Sequence, residues 1–190
     1  MLIHIWGDYG LFSRPELASN RVSYPVPPWS AVTGILEAIF WKRGCIWRVD
    51  RVYVLRRIEY IPIMLNERQI SNKTTQRTSL FLKKPEYVVD ATPTGVEPRK
   101  YQDMASKFVE IGRSRRRIFL GTKECAAFFG PPPCDFTDRA ARANRGRSGD
   151  LGNMPLRIMY REDGHPLGAE WSPYVFNGEG GFYHTGEATS

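Results

Sequence analysis

Ser23 to Lys42, SYPVPPWSAVTGILEAIFWK, is the stretch on which the fold turns. It opens as a stiff approach, Tyr24-Pro25-Val26-Pro27-Pro28. Each proline fixes its own φ and pushes the residue before it towards an extended conformation, so no helix runs through this segment. The helix is expected where the prolines stop, with Ser30 as its cap, the hydroxyl accepting a first-turn N–H that has no partner inside the helix. Val32, Ile35, Leu36 and Ile39 fall at i, i+3, i+4 and i+7 and make one apolar face, with Glu37 off it. Lys42, Arg43 and Gly44 suit the end: two cations at the negative pole and a residue that accepts a left-handed exit. The spacing predicts a core helix over Ser30 to Lys42, packed on a sheet.

Before it, Leu2 to Trp6 reads as a buried first strand running to about Phe12, bent or bulged at Gly7-Asp8. Ser13 to Glu16 ends it, and residues 17–23 form a loop. After the helix, Trp47 to Glu59 alternates like a strand with one slip in phase near Asp50. It is expected to continue through Tyr60 to Leu65, where Pro62 argues for an edge or a bulge. Residues 66–84 are polar and β-leaning and read as an extruded hairpin or mobile arm. Glu86 to Ala91 is a strand, and Arg99 to Ile111 a second helix that Gly112 ends. A fourth strand is expected over Ile118 to Gly121 and Cys125 to Phe129, stopped by Gly130-Pro131-Pro132-Pro133. Residues 134–149 read as an irregular or mobile loop, 151–176 as one or two short strands, and the Gly-rich tail from Asn177 as frayed.

In order this is β-α-β-β-α-β, an α+β chain of the ferredoxin-like split βαβ pattern, also that of the RNA-recognition (RRM-like) fold. The hairpin is an insert between the second and third strands, and a short C-terminal β extension follows. Residues 1–130 are expected to form the domain body, and 131–190 a basic loop, short strands and tail. The aromatic signature of the RNA-recognition fold is absent from the fourth strand.

The chain of 190 residues is 42% hydrophobic and 13% aromatic, which fits a globular protein and excludes a disordered one. The apolar start breaks too early for a signal peptide, and no run reaches transmembrane length, so the expected location is cytoplasmic. Cys45, Cys125 and Cys134 form no C-x-x-C pair, and His4, His165 and His184 are scattered. Neither a disulfide framework nor a metal site is expected, and no cofactor. Charge is more informative: of the net +7, Arg99 to Arg147 carries 12 Lys/Arg against 5 Asp/Glu, leaving 15 against 15 elsewhere. Such concentration points to a polyanionic partner. A membrane surface would prefer an amphipathic basic helix, a pattern this stretch lacks.

Four stretches in order resemble one family. They are Trp6-Gly7-Asp8-Tyr9-Gly10-Leu11-Phe12-Ser13-Arg14-Pro15-Glu16; Ser23-Tyr24-Pro25-Val26 leading into Gly34 to Lys42; Val52-Tyr53-Val54-Leu55 with Asn66-Glu67; and Arg115-Arg116-Arg117-Ile118-Phe119-Leu120-Gly121-Thr122-Lys123-Glu124-Cys125. Over roughly residues 3–130 they resemble the CRISPR-associated protein 5 family in its subtype I-C (Dvulg-type) form. Asp150-Leu151-Gly152 looks like that family's C-terminal strand entry. The resemblance implies a repeat-associated mysterious protein (RAMP) subunit of a Cascade-type surveillance complex. Such a subunit binds the 5′ handle of the CRISPR RNA, contacts the large subunit and the first backbone subunit, and meets target DNA through the complex. The hairpin at 66–84 would be the family's thumb.

Members of this form usually process the precursor RNA themselves, with a tyrosine ending the first helix and a Lys-His pair starting the second. At the matching positions stand Phe40, Arg99 and Lys100. Metal-independent cleavage needs a base for the 2′-hydroxyl, an acid for the leaving oxygen and a cation for the phosphate. Phe40 ionises at no pH, Arg99 keeps its proton, and Lys100 serves as a base only if neighbouring cations discharge it. Losing such groups costs about 10²–10⁴-fold each. A subunit with an RNA grip and weak or absent cleavage is therefore expected, with Tyr24 or Tyr101 as substitutes for the missing hydroxyl in the alternative, active endoribonuclease. A stand-alone RNA-binding protein, or an adaptor docking an acidic partner through Arg139 to Arg147, are further alternatives. For RNA contact the candidates are Arg113, Arg115, Arg116 and Arg117, where guanidinium forks and exposed amides would share one loop. Arg14 and Arg21 flank the first strand–helix connection. Tyr24 and Trp29 are candidates for base stacking. Lys42 and Lys123 follow, and Arg68, Lys73 and Arg77 would ride on the hairpin.

Overall fold

The structure is a computed structural model that describes residues 1–17, 21–68, 74–163, 165–177 and 180–184. In chain order its elements are β1 (Leu2–Gly7), β2 (Tyr9–Gly10), α1 (Trp29–Ile39), β3 (Cys45–Val54), β4 (Tyr60–Arg68), β5 (Thr74–Lys83) and β6 (Glu86–Gly95). There follow α2 (Pro98–Glu110), β7 (Ala127–Gly130), α3 (Phe136–Ala143), β8 (Gly149–Tyr160), β9 (Pro166–Phe176) and β10 (Gly181–His184). The result is mixed α+β with two antiparallel sheets. One has seven strands in the order β7-β1-β6-β3-β10-β9-β8, the other three in the order β2-β5-β4.

Strand β1 sets the layers. Its side chains alternate, so Ile3 and Ile5 are buried beneath the helices while His4 and Trp6 point to the opposite face. The α1 face of Val32, Ile35, Leu36 and Ile39, all buried as the periodicity requires, joins the same core, with α1 lying against β3 and β8. Each such side chain contributes about 1.5–3 kcal/mol on leaving water. The bend at Asp8 sends Tyr9-Gly10 into the smaller sheet, where β2 pairs with β5. The slip near Asp50 is a register shift between Val49 and Arg51, and Pro62 lies on the edge strand β4.

Several boundaries differ from expectation. Helix α1 starts at Trp29, not at Ser30, and no side chain caps it. The Trp29 N–H instead donates to the Tyr174 hydroxyl at 2.8 Å, and the Pro28 carbonyl accepts from Ala31 and Val32. The helix stops at Ile39 because Phe40 turns extended (φ −142°, ψ 128°) and drives its ring against Phe108 and Tyr101. Lys42, Arg43 and Gly44 therefore form the turn into β3 and not the helix end. The inserted hairpin begins at Tyr60, not Asn66, since β4 pairs with β5 along its whole length. The fourth strand is shortened to Ala127–Gly130; residues 118–126 fold back on themselves through a Phe119–Ala126 bridge.

The C-terminal third is more regular than its composition suggests. The expected loop at 134–149 contains α3, whose Phe136 ring packs on Tyr53 at 5.2 Å and whose Ala140 is buried with Leu55 and Val88. This small core lies on the face of the sheet that α1 and α2 leave uncovered. The short strands of 151–176 are two long ones paired in a hairpin, β8 and β9. The tail expected to fray supplies β10, which inserts between β3 and β9 with Phe182 fully buried against Trp29 and Tyr174. Among the described residues no helix is long and apolar enough to cross a membrane.

Candidate nucleic-acid interface

The arginine run is held by the end of α2. Gly112 takes the left-handed conformation (φ +64°). The Arg113 N–H donates to Phe108 O at 2.8 Å and the Gly112 N–H to Val109 O at 3.3 Å, the paired bonds of a Schellman cap. The Arg113 guanidinium lies 5.0 Å over the Phe108 ring, closing the cap with a side-chain contact. The chain then crosses to the end of α1. The N–H groups of Arg115 and Arg116 donate to Ala38 O at 2.9 and 3.1 Å, satisfying a carbonyl that α1 leaves open. These amides are thus spent on the helix, which corrects the expected cradle of exposed amides. The guanidinium forks remain. Arg115 stacks 5.0 Å over Trp41 and reaches Glu37 O at 3.4 Å. Arg116 and Arg117 are exposed, with no side-chain hydrogen bond or ion pair among the described residues. Lys42 is exposed one residue beyond Trp41.

A second group gathers around the start of β2 and its continuation. Arg14 pairs with Glu16 at 2.8 Å and lies 5.3 Å over the Tyr24 ring. Glu124, next to exposed Lys123, feels both Arg21 and Lys123, after the backbone and Thr122 hydrogen bonds that chiefly hold its carboxyl below the usual range. Tyr24 is buried, its hydroxyl 3.4 Å from Glu16. Burial first, and the Glu16 carboxylate second, push its pKa up to about 12, so this phenol keeps its proton at neutral pH. Trp29 is likewise buried and donates its indole N–H to Val49 O at 3.1 Å. Neither ring offers a face for base stacking here. Both are apolar-core residues, which the proline-flanked sequence did not distinguish from surface aromatics.

Of the positions matching the family's cleavage site, Phe40 lies beside the arginine loop with its ring on Phe108, while Arg99 and Lys100 stand at the far end of α2. Arg99 and Lys100 are exposed at the start of α2, and Lys100 Nζ pairs with both Glu97 oxygens, at 2.9 and 3.1 Å. Its partner is a carboxylate, not the cation that a lysine base would need. Phe40 is buried, and Tyr101, also buried, donates its hydroxyl to Arg43 O at 3.3 Å. With α2 13 residues long, Arg99 stands roughly 20 Å along the axis from the arginine loop. Arg77 lies half-buried on β5 and Arg68 ends β4; Lys73 falls outside the described residues.

One cluster has no counterpart in the candidates drawn from sequence. Glu86, at the start of β6, accepts from Arg139 of α3 at 2.6 Å, from Arg56 at 3.1 Å and from His4 Nε2 at 3.0 Å. Residues distant in sequence meet here because β1, β6 and α3 share one face, and only Arg139 belonged to a run noticed as basic. Burial works to raise the Glu86 carboxyl, but the hydrogen bonds from Arg139 and His4 outweigh it and the net shift is downward. Burial lowers the His4 pKa against the opposing pull of Glu86. Both shifts make the folded state bind fewer protons than the unfolded chain. Stability is therefore expected to fall as pH drops below the ordinary histidine value of 6.5, and again below the ordinary carboxyl value of 4.5 as Glu86 protonates. Glu86→Gln makes the second fall shallower, leaving the shares of Glu16 and Glu124, and costs about 1.5–3 kcal/mol at pH 7. Thermal melts across pH 3.5–8, wild type against variant, check both signs, and a variant whose melts still fall below pH 4.5 as steeply would contradict the assignment.

The fold and these surfaces define a mixed α+β protein with a cationic rim at the meeting point of two helix ends. A family model described as CRISPR-associated protein (Cas_Cas5) matches residues 1–179. The chain belongs to that family, in its Cas5d form. It is 36% identical over 175 residues to a Thermus thermophilus protein named CRISPR pre-crRNA endoribonuclease Cas5d, covering 85% of this chain and 74% of the relative. A Mannheimia succiniciproducens protein of the same name is 32% identical over 157 residues, covering 67% and 70%. Among solved structures, one described as a CRISPR-associated protein superposes with a TM-score of 0.76 at 22% identity, over 99% of this chain and 92% of the other. SMU1763c from Streptococcus mutans, described as functionally uncharacterized, gives 0.73 at 24% identity, over 95% and 89%. At these identities the two structures speak for the fold alone.

Proposed function

We propose that this protein binds the 5′ handle of a CRISPR RNA as a capping subunit of a type I Cascade complex, working in the cytoplasm. The observation that carries the reading is the arginine loop. Its backbone is fixed at both helix ends, and the exposed guanidiniums of Arg116 and Arg117 stand beside Arg113, Arg115 and Lys42. Pre-ordered cations of this kind bind phosphate without losing freedom on contact. The ferredoxin-like reading of residues 1–130 is supported by the run β7-β1-β6-β3, an order in which the first and third-formed strands of the pattern lie side by side. The thumb reading is supported by the β4–β5 hairpin, which carries Arg68 and Arg77 away from the main sheet. Within residues 131–190, strands β8, β9 and β10 extend the sheet beyond β3, and this part would serve the contacts with the backbone and large subunits, through which target DNA is met.

On cleavage, residues and relatives pull apart. Both curated relatives are named endoribonucleases, which does not support the expected lack of strong activity and favours the second reading, a metal-independent endoribonuclease on CRISPR repeat RNA. The site itself favours weak cleavage: Phe40 is buried and non-ionisable, Lys100 is held by Glu97, and Tyr24 is buried with its hydroxyl turned to Glu16. Purified protein incubated with repeat RNA in EDTA separates the two. The proposal expects RNA bound and left intact over an hour; one discrete cut within minutes would establish the enzyme instead.

A further inference from the structure

The face of the sheet opposite α1 and α2 carries a groove of about 390 Å³ between β1, β6, β7 and α3. We propose that it holds one unpaired nucleotide of the bound RNA, the base against Phe128 and the phosphate on Arg56 and Lys84. The inference rests on the RNA-binding reading above and deepens it by placing a second contact on the other side of the sheet. Three observations point to this occupant. The first is a stack of rings. His4 lies on Trp6 at 4.4 Å and 25°, and Trp6 faces Phe128 across the β1–β7 pair at 6.0 Å and 28°. The stack ends on Phe128, whose ring is 57% exposed on an edge strand. A flat base extends such a stack, a contact that tolerates any sequence because every base has a π-face.

The second is charge. Arg56, Lys84 and Arg139 line the groove against Glu86 and Asp8. Arg56 gives only its Nε to Glu86, so its terminal nitrogens stay available in a side chain 54% exposed. Glu86 in turn fixes the direction of Arg56 and Arg139, an ordered fork rather than a loose surface charge. The third is Lys84 itself. It is the non-glycine residue with a left-handed backbone among the described residues (φ +46°), in the tight connection from β5 to β6, and it is one of the residues lining the groove. Glycine adopts that conformation without penalty, so a lysine there gains nothing for the fold and supplies a cation to the groove. The volume lies near the lower end of small-molecule pockets, about 300–1,000 Å³, enough for one nucleotide.

The experiment measures equilibrium binding of repeat-derived RNA to the full chain, with thermal melts of each variant. Phe128→Ala is expected to weaken binding about 5–30-fold, and Lys84→Gly about 3–10-fold with a melting temperature that does not fall and a log–log salt slope reduced by about one. Wild-type affinity in both variants, while Arg116→Glu with Arg117→Glu loses binding, would overturn the groove and leave the RNA-binding reading standing. Wild-type protein that binds no RNA would overturn both. Unchanged RNA affinity with loss of a co-purifying protein would overturn the nucleotide assignment in favour of a protein surface.

Discussion

Arg116→Glu combined with Arg117→Glu is expected to weaken binding of repeat-derived RNA by about 100-fold or more while leaving the fold intact. Hydrogen bonds to charged groups contribute about 1.5–3 kcal/mol each, and reversing the charge adds repulsion from a strand that carries one charge per nucleotide. Removing two such hydrogen bonds at once reaches the stated factor even at the low end of that range. The fold survives because these two exposed side chains make no hydrogen bond or ion pair among the described residues. The Arg116 backbone N–H that caps α1 is untouched by a side-chain change. Arg115→Glu is a poorer choice, since its guanidinium also covers Trp41 and reaches Glu37 O. Filter binding or anisotropy at fixed salt reads the affinity, and a melt reads the fold. Wild-type affinity in the folded double variant would remove the loop from the interface.

Gly121→Ala is expected to destabilise the protein by roughly 3–5 kcal/mol, a fall in melting temperature of about 6–20 °C for a chain of this size. Gly121 has φ +94°, and a Cβ there would stand 2.0 Å from Leu11 O and 2.5 Å from its carbonyl carbon. Both obstacles are backbone, so no rotamer change relieves them. The approach is close because the fold-back of residues 118–126 docks on the chain leaving β2, where the Leu11 N–H donates to Leu120 O at 2.9 Å. The same fold-back presents Lys123 and delivers β7 to the sheet edge. Loss of stability is therefore expected to carry RNA binding with it, through the segment between the arginine loop and Phe128. A variant that melts like wild type would show that this approach is not required.

The parts of the fold that could be read from sequence are those whose signal is local. Periodicity placed the buried face of α1, richness in Ile and Trp placed β1, alternation placed β3 with the shift at Asp50, and Gly112 marked the end of α2 through a cap that needs only neighbouring residues. What was missed depends on distant partners. The start of α1 is decided by the Tyr174 hydroxyl from β9, and its end by where the Phe40 ring finds Tyr101 and Phe108. Helix α3 reads as a basic loop until Phe136 and Ala140 find Tyr53, Leu55 and Val88. Strand β10 hides in a glycine-rich tail because Phe182 is its main apolar anchor.

The candidate site divides the same way. A run such as Arg113 to Arg117 declares itself, and its placement beside a helix end follows from the glycine before it. The Glu86 cluster and the ring stack of His4, Trp6 and Phe128 arise from register between strands far apart in the chain. Tyr24 and Trp29 carry the chemistry of base-stacking residues, but only the packed structure shows that their rings are enclosed.

The salt dependence of wild-type binding to repeat-derived RNA tests the central claim, that an ordered cationic rim grips the RNA backbone. With at least four phosphates neutralised, the plot of log affinity against log salt concentration is expected to slope at about −3 or steeper. A slope near zero would contradict it.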